Sequence, residues 1–173
     1  MALKKQADLN IKCQNFIDGK WQFSKEKKPI EIFSPWDGKK IGLLYHSNEN
    51  DIDNAVLSAQ KAQKAWGEQT IKARAQVMLN LRQYLCDQID TFSHVISRES
   101  GKLLDEAKAG VLKGIEVLDY AFSIQNIDVG GKLTVSNGVT CEFRREPLGV
   151  VAGITPFNFP FMVPMWMIPI AVT

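Results

Sequence analysis

No charged residue follows Glu146 in this sequence of 173 residues, and the chain ends on its most apolar stretch, Pro147 to Thr173. Globular chains rarely end on such a segment, so the sequence reads as the front part of something larger. Cysteine is scarce too. Cys13, Cys86 and Cys141 are three in number and widely spaced, which excludes a disulfide framework and a CxxC metal or redox site and favours a reducing, cytoplasmic compartment. None of them has an activating base nearby in the sequence, so a catalytic thiol is not expected among them. The two histidines, His46 and His94, lack partners at ligand spacing and read as loop and surface residues, and no metal site is expected. No apolar run follows the polar stretch Met1 to Lys12, which argues against a secretory signal. Lys plus Arg total 21 against 19 for Asp plus Glu, and a net charge of +2 gives no electrostatic case for nucleic acid or an anionic membrane. There is no GxGxxG motif, internal repeat or low-complexity tract.

What is present is a 45% apolar composition, enough to bury a core. The uncharged tail is long enough to span a bilayer, but five of the seven prolines lie in it (Pro147, Pro156, Pro160, Pro164, Pro169) together with Asn158. One lipid-facing helix would carry several breaks and a polar amide, so strand, turn and short buried helix are expected instead of a membrane span.

The first fifty residues read as β and turn. Phe16-Ile-Asp-Gly-Lys-Trp21 is a hairpin signature around Asp-Gly, and a turn at Ser34 to Gly38 precedes the apolar run Ile41 to Leu44. From Asp51 the period becomes helical: Ile52, Ala55, Val56, Ala59, Ala62 and Trp66 form a stripe, with Asn50 or Asp51 as the cap and Gly67 as the stop. A second helix is expected from Ile71 to about Ile89, a third short one around Phe92, Val95 and Ile96 ending near Gly101, and a fourth from Leu104 to Ile124. Each stripe reads as core. Leu133 to Phe143 contains two β-rich runs joined by Asn137-Gly138, a hairpin with one apolar and one wet face that needs another sheet to lean on.

Chemistry concentrates after that hairpin. Gly149 to Ile154 suits a strand buried on both faces of a parallel sheet, Thr155 to Pro160 breaks it, and Phe161 to Val172 can form a helix with Pro160 at its first turn. Strand, turn and helix is how a doubly wound nucleotide-binding domain begins, with the ligand at the carboxyl end of the strand. Asn158 has two readings. Its side-chain NH₂, aimed into a dry cleft, can stabilise a developing oxyanion, or its amide can cap the helix and hold the turn.

The run Arg145-Glu-Pro-Leu-Gly-Val-Val-Ala-Gly-Ile-Thr-Pro-Phe-Asn-Phe-Pro160, continued by Met162-Val-Pro-Met-Trp-Met-Ile-Pro169, resembles the aldehyde dehydrogenase superfamily, in which P-L-G-V followed by P-W-N-F-P or P-F-N-F-P opens the NAD-binding domain. Phe157 in place of Trp is similar to the CoA-acylating methylmalonate-semialdehyde dehydrogenase branch. Phe16 to Trp21, Ala65-Trp66, Arg74, Glu99-Ser-Gly-Lys102 and Glu106-Ala107 agree with it.

The resemblance implies an α/β fold: helices over residues 1–128, a projecting oligomerisation hairpin at 129–146, and the first strand, turn and helix of a Rossmann-like sheet at 147–173. It implies oxidation of malonate or methylmalonate semialdehyde through a thiohemiacetal and a thioester with NAD as oxidant, followed by loss of the carboxylate as CO₂ and transfer of the acyl group to CoA, giving acetyl-CoA or propanoyl-CoA. Asn158 matches the oxyanion amide, which turns its two readings toward catalysis. Thr155, Pro156 and Phe157 match the nicotinamide side of the cofactor cleft. Lys113 stands where the branch carries an arginine facing the substrate carboxylate; it keeps the charge and loses the bidentate fork. The sequence stops before the family's cofactor lysine, second glycine-rich turn, activating glutamate and nucleophilic cysteine. Expected, then, is an N-terminal fragment, inactive alone, of a homo-oligomeric enzyme. The alternative is a non-catalytic partner that joins intact family subunits through its hairpin and tail.

Overall fold

A computed structural model describes residues 11–24, 28–127 and 130–173. Most of the N-terminal stretch read for targeting, and the 128–129 boundary, lie outside them. The described chain is mixed α/β and divides into two compact units. One reaches to Ala62 and takes in Ile89–Val111; the other comprises Gln63–Gln88 and Leu112–Thr173.

In the first unit, β1 (Ile11–Cys13) pairs parallel with β5 (Lys40–Leu44), and β4 (Ile30–Phe33) pairs antiparallel with β5 on its other side. Close approach of β1 to β5 depends on Gly42, where a Cβ would stand 2.5 Å from the Ile11 carbonyl oxygen. The Asp-Gly signature becomes the hairpin of β2 (Asn15–Ile17) and β3 (Lys20–Gln22). Asp18 and Gly19 both adopt positive φ, 53° and 71°, as a tight turn matched to strand twist requires. The turn at Ser34 to Gly38 closes through Gly38 N–H donating to the Ser34 carbonyl at 2.9 Å. The Lys39 backbone N–H donates to Asp37, which together with the Ser34 hydroxyl and nearby cations holds that carboxyl below its ordinary value.

Helix α1 (Glu49–Gly67) starts two residues earlier than the periodicity suggested, because the cap is Asn48 and not Asn50 or Asp51. Asn48 Oδ1 accepts from the Asp51 N–H and Asp51 Oδ2 accepts from the Asn48 N–H, both at 3.0 Å, a reciprocal box that satisfies two end donors. Its apolar stripe is not core: Ile52 and Val56 are exposed and no α1 residue is buried. Helix α2 (Ile71–Asp87) is capped by Thr70, and α3 (Ile89–Ser100) ends at Gly101, whose φ of 74° favours glycine. Helix α4 (Leu104–Ser123) carries the main buried stripe.

The first unit buries Ile41, Ser93, Ile96, Ala107 and Val111; the second buries Ala75, Met78, Leu85, Ile115, Leu118, Ala121 and Pro169. In the second unit, Arg82 of α2 and Asp119 of α4 form a two-pronged ion pair. Strands β6 (Gly131–Ser136) and β7 (Val139–Phe143) form the Asn137-Gly138 hairpin, Gly138 having φ of 74°. Among the described residues no other strand pairs with it, and Leu133, Val135, Val139 and Phe143 all stay exposed.

Candidate functional site

The site is built on helix α5 (Met162–Val172), entered through the turn 157–161. Proline shapes both ends. Pro160 precedes the cap residue Phe161, and Pro164 falls in the first turn, where a missing N–H costs nothing. Pro169 sits inside the helix and withholds the N–H that would reach the Met165 carbonyl, while the last carbonyls, as at any helix end, need other donors. They find them. Thr173 N–H and Oγ1 donate to the Pro169 carbonyl (3.1 and 2.8 Å), Trp66 Nε1 donates to the Val172 carbonyl (2.8 Å), and Arg74 Nε donates to the Thr173 carbonyl (2.6 Å). Arg74 Nη1 also reaches the Gln69 carbonyl at 2.5 Å, so the guanidinium ties the start of α2 to the end of α5.

The other end of α5 lies against α4. A Cβ on Gly114 would stand 2.8 Å from Phe161 Cε1 and 3.2 Å from Met165 Cγ, so only glycine admits this crossing. Lys113 is the adjacent residue along α4, on a different face of the helix from Gly114. Lys113 is exposed and its Nζ is held by Glu116 at 2.6 Å, one helical turn on.

One expectation needs correction. Gly149 to Ile154 forms no strand, and Ile154 is 95% exposed. A parallel strand exists only through hydrogen-bonded neighbours, and among the described residues none pairs with this run. Gly153 instead rests on α5, where a Cβ would come 3.1 Å from Met167 Cε. Thr155, Pro156, Phe157 and Asn158 are all exposed in the described chain, Phe157 at 90%. The turn before the helix is where the sequence put it.

Chemically, the N-terminal end of α5 offers a partial positive charge and backbone donors, with an amide three residues before the cap and an ammonium on the neighbouring helix. Those groups suit a developing oxyanion and a carboxylate, respectively. Thr155, Pro156 and Phe157, the residues the resemblance sets against NAD, form one exposed stretch directly before Asn158. Sequence reasoning missed Glu116, although its three-residue spacing from Lys113 was legible, and it missed the anchoring roles of Trp66 and Arg74. A groove of about 400 Å³, lined in part by Trp66, Arg74, Pro147, Leu148 and Val172, lies along the C-terminal end of α5, and none of the Thr155–Asn158 residues lines it.

No helix among the described residues is long and apolar enough to cross a membrane. Residues 21–173 match the model of the aldehyde dehydrogenase family. Malonate-semialdehyde dehydrogenase of Lacticaseibacillus casei is 38% identical over 165 residues, covering 94% of this chain and 34% of that protein. The Bacillus pumilus enzyme of the same name is 34% identical, over 92% of this chain and 33% of its own. Among solved structures, a Sinorhizobium meliloti protein assigned as a methylmalonate-semialdehyde dehydrogenase and complexed with NAD superposes with a TM-score of 0.90. It shares 33% identity and covers 96% of this chain and 34% of that one. The chain thus spans about a third of the length of the curated relatives it matches.

Proposed function

Because this chain belongs to the aldehyde dehydrogenase family, we propose that it forms the N-terminal portion of a cytoplasmic, NAD-dependent, CoA-acylating dehydrogenase of malonate or methylmalonate semialdehyde. The observation that supports the reading is the Thr155-Pro-Phe-Asn-Phe-Pro160 turn at the head of α5, a helix packed through Phe161 against Gly114 of α4, the helix that also carries Lys113. In this reading the Asn158 NH₂ donates to the oxygen that gains charge as a thiolate attacks the aldehyde carbon. The helix N-terminus adds its partial positive charge. Lys113 turns from Glu116 to the substrate carboxylate, a point charge where a guanidinium fork would bind two oxygens. Thr155, Pro156 and Phe157 would form part of the wall that holds the nicotinamide, where NAD would supply the hydride acceptor; the substrate carboxylate would leave as CO₂ and CoA would take the remaining acyl group.

The nucleophile is not assigned to this chain. Cys13 has its thiol pushed up, first by burial and then by the Glu99 carboxylate, which makes it a poor thiolate. The 173 residues alone therefore form no NADH from malonate semialdehyde with NAD and CoA. A chimera in which they replace the matching third of the Lacticaseibacillus casei enzyme is expected to form it. In that chimera Asn158→Ala lowers kcat by roughly 10²–10³-fold, and Lys113→Ala acts mainly on KM. A folded chimera without activity, or an Asn158→Ala variant with full kcat, removes the proposal. The exposed hairpin supports a second role, pairing with a like subunit in a homo-oligomer; its apolar residues on both strands have no cover within the described chain.

A further inference from the structure

Asn137 is the one asparagine of the sequence that glycine follows, and it sits at the tip of the β6–β7 hairpin with Ser136 and Gly138 exposed beside it. Nothing stands within 4 Å of the place a Gly138 Cβ would take, so no side chain crowds the peptide unit that joins the two residues. A side-chain amide carbon is an electrophile, and the backbone nitrogen of the next residue can close a five-membered ring on it. Ring closure requires the Asn137 side chain to swing over that nitrogen, which the tip of the hairpin must open to allow. The hairpin offers little resistance. Its two strands pair with no other strand among the described residues, and their register shifts between Thr134 and Ser136, immediately before the turn. An isolated two-stranded ribbon is marginal in water and a bulge disrupts its ladder, so local opening there takes little free energy.

Two aspartates also precede glycine in exposed turns, and each lacks part of this chemistry. Aspartates are carboxylates at neutral pH, and a carboxylate carbon resists attack by a nucleophile. Asp18-Gly19, with φ of 53° and 71°, therefore has the turn without the reactive amide. Asp37-Gly38 is restrained further. Gly38 N–H donates to the Ser34 carbonyl at 2.9 Å, and Asp37 Oδ1 accepts from the Lys39 N–H at 3.3 Å, so nitrogen and side chain are each held by another partner. Of the three turns, only the one at Asn137 combines a reactive side chain with a weakly held backbone.

We propose that Asn137-Gly138 is a self-modification site, which converts without an enzyme to an isoaspartyl linkage and thereby loosens the β6–β7 hairpin. The Gly138 nitrogen bonds to Asn137 Cγ, the Cγ–Nδ2 bond breaks, and ammonia leaves with the proton that the backbone nitrogen gives up, producing a five-membered imide. Water then opens the ring. Attack at the former Asn137 backbone carbonyl gives isoaspartate, attack at Cγ gives aspartate, and neither step oxidises or reduces anything. Isoaspartate routes the main chain through Cγ, an extra methylene in a turn whose length sets the strand register. The test ages the 173-residue chain in mildly alkaline buffer at body temperature and follows every asparagine and aspartate by peptide mass spectrometry. An isoaspartyl methyltransferase with labelled S-adenosylmethionine reports the rearranged product. Asn137 is expected to convert roughly tenfold or more faster than any other asparagine, about 1.4 kcal/mol of barrier, and mainly to isoaspartate. Asp18 and Asp37 stay unchanged over the same period. Hydrogen exchange of the β6 and β7 amides then rises severalfold in the aged chain. A fresh Asn137→Asp variant, which has the new charge without the methylene, keeps the parent's exchange, and Asn137→Gln neither converts nor loosens. Retention of the Asn137 amide while an unstructured peptide of Gly131 to Phe143 converts, or equally fast conversion at another asparagine, overturns the proposal. Unchanged β6–β7 exchange in the aged chain, or the same rise in Asn137→Asp, overturns the loosening.

Discussion

Cys13 and Cys141 carry the same thiol in different surroundings. Cys13 is half-buried on β1 with Glu99 near, so its neutral form persists above the ordinary thiol range; Cys141 is exposed on β7. Since only the thiolate is alkylated, iodoacetamide at neutral pH is expected to label Cys141 well before Cys13, and Cys13 labelling rises as the pH climbs past the usual thiol value. Mass-spectrometric time courses at each cysteine decide it; equal rates at neutral pH would show that burial and Glu99 do not act on Cys13. The same distinction between a residue and its surroundings governs Asn158. Its turn and following helix were legible from Pro156, Pro160 and the apolar run, because those are local preferences. Its exposure was not, because the cover over a turn comes from elements distant in sequence. For Lys113 the charge was legible and the Glu116 clasp was overlooked, which matters because any substrate carboxylate must compete with it.

Among the elements, those fixed by local chemistry were legible almost to the residue. Asp18-Gly19 and Asn137-Gly138 give their hairpins, since positive φ is cheap there, and the stripe Ala107, Val111, Ile115 and Leu118 gives the buried face of α4. Gly149 to Ile154 failed as a strand for the opposite reason: β-branched residues state a preference, while a ladder requires a partner. Periodicity also hid how α4 and α5 meet. The crossing rests on Gly114, which sequence pattern alone marks only as a weak point in a helix. Gly114→Ala would raise helix propensity yet drive a methyl into Phe161 and Met165. The overpacking term exceeds the propensity gain, so the variant is expected to lose about 1–3 kcal/mol of stability. Gly110→Ala, in the same helix with open space at its Cβ, is expected to hold or gain stability. Urea unfolding of the two variants reads the difference, and a Gly114→Ala chain as stable as the parent would mean the helices do not approach as closely as described.

At the scale of the whole molecule, the charge-free segment behaves unlike a core. Only Pro169 is fully buried within α5, and Leu148 and Ile154 are each 95% exposed. An apolar side chain left in water contributes nothing to folding through burial, and several together make a surface that attracts others. Stability and solubility should therefore separate in this segment. Replacing Leu148 and Ile154 together by serine removes exposed apolar area without opening a cavity, so the unfolding free energy is expected to stay within about 0.5 kcal/mol of the parent. Light scattering and binding of a hydrophobic dye should both fall. The paired control is Leu118→Ala in α4, a fully buried side chain whose truncation costs about 2–5 kcal/mol and leaves dye binding by the folded chain as it was. If the serine pair instead destabilises the chain as a core truncation does, Leu148 and Ile154 are packed in solution, and the turn that carries Asn158 has the dry surroundings that its chemistry favours.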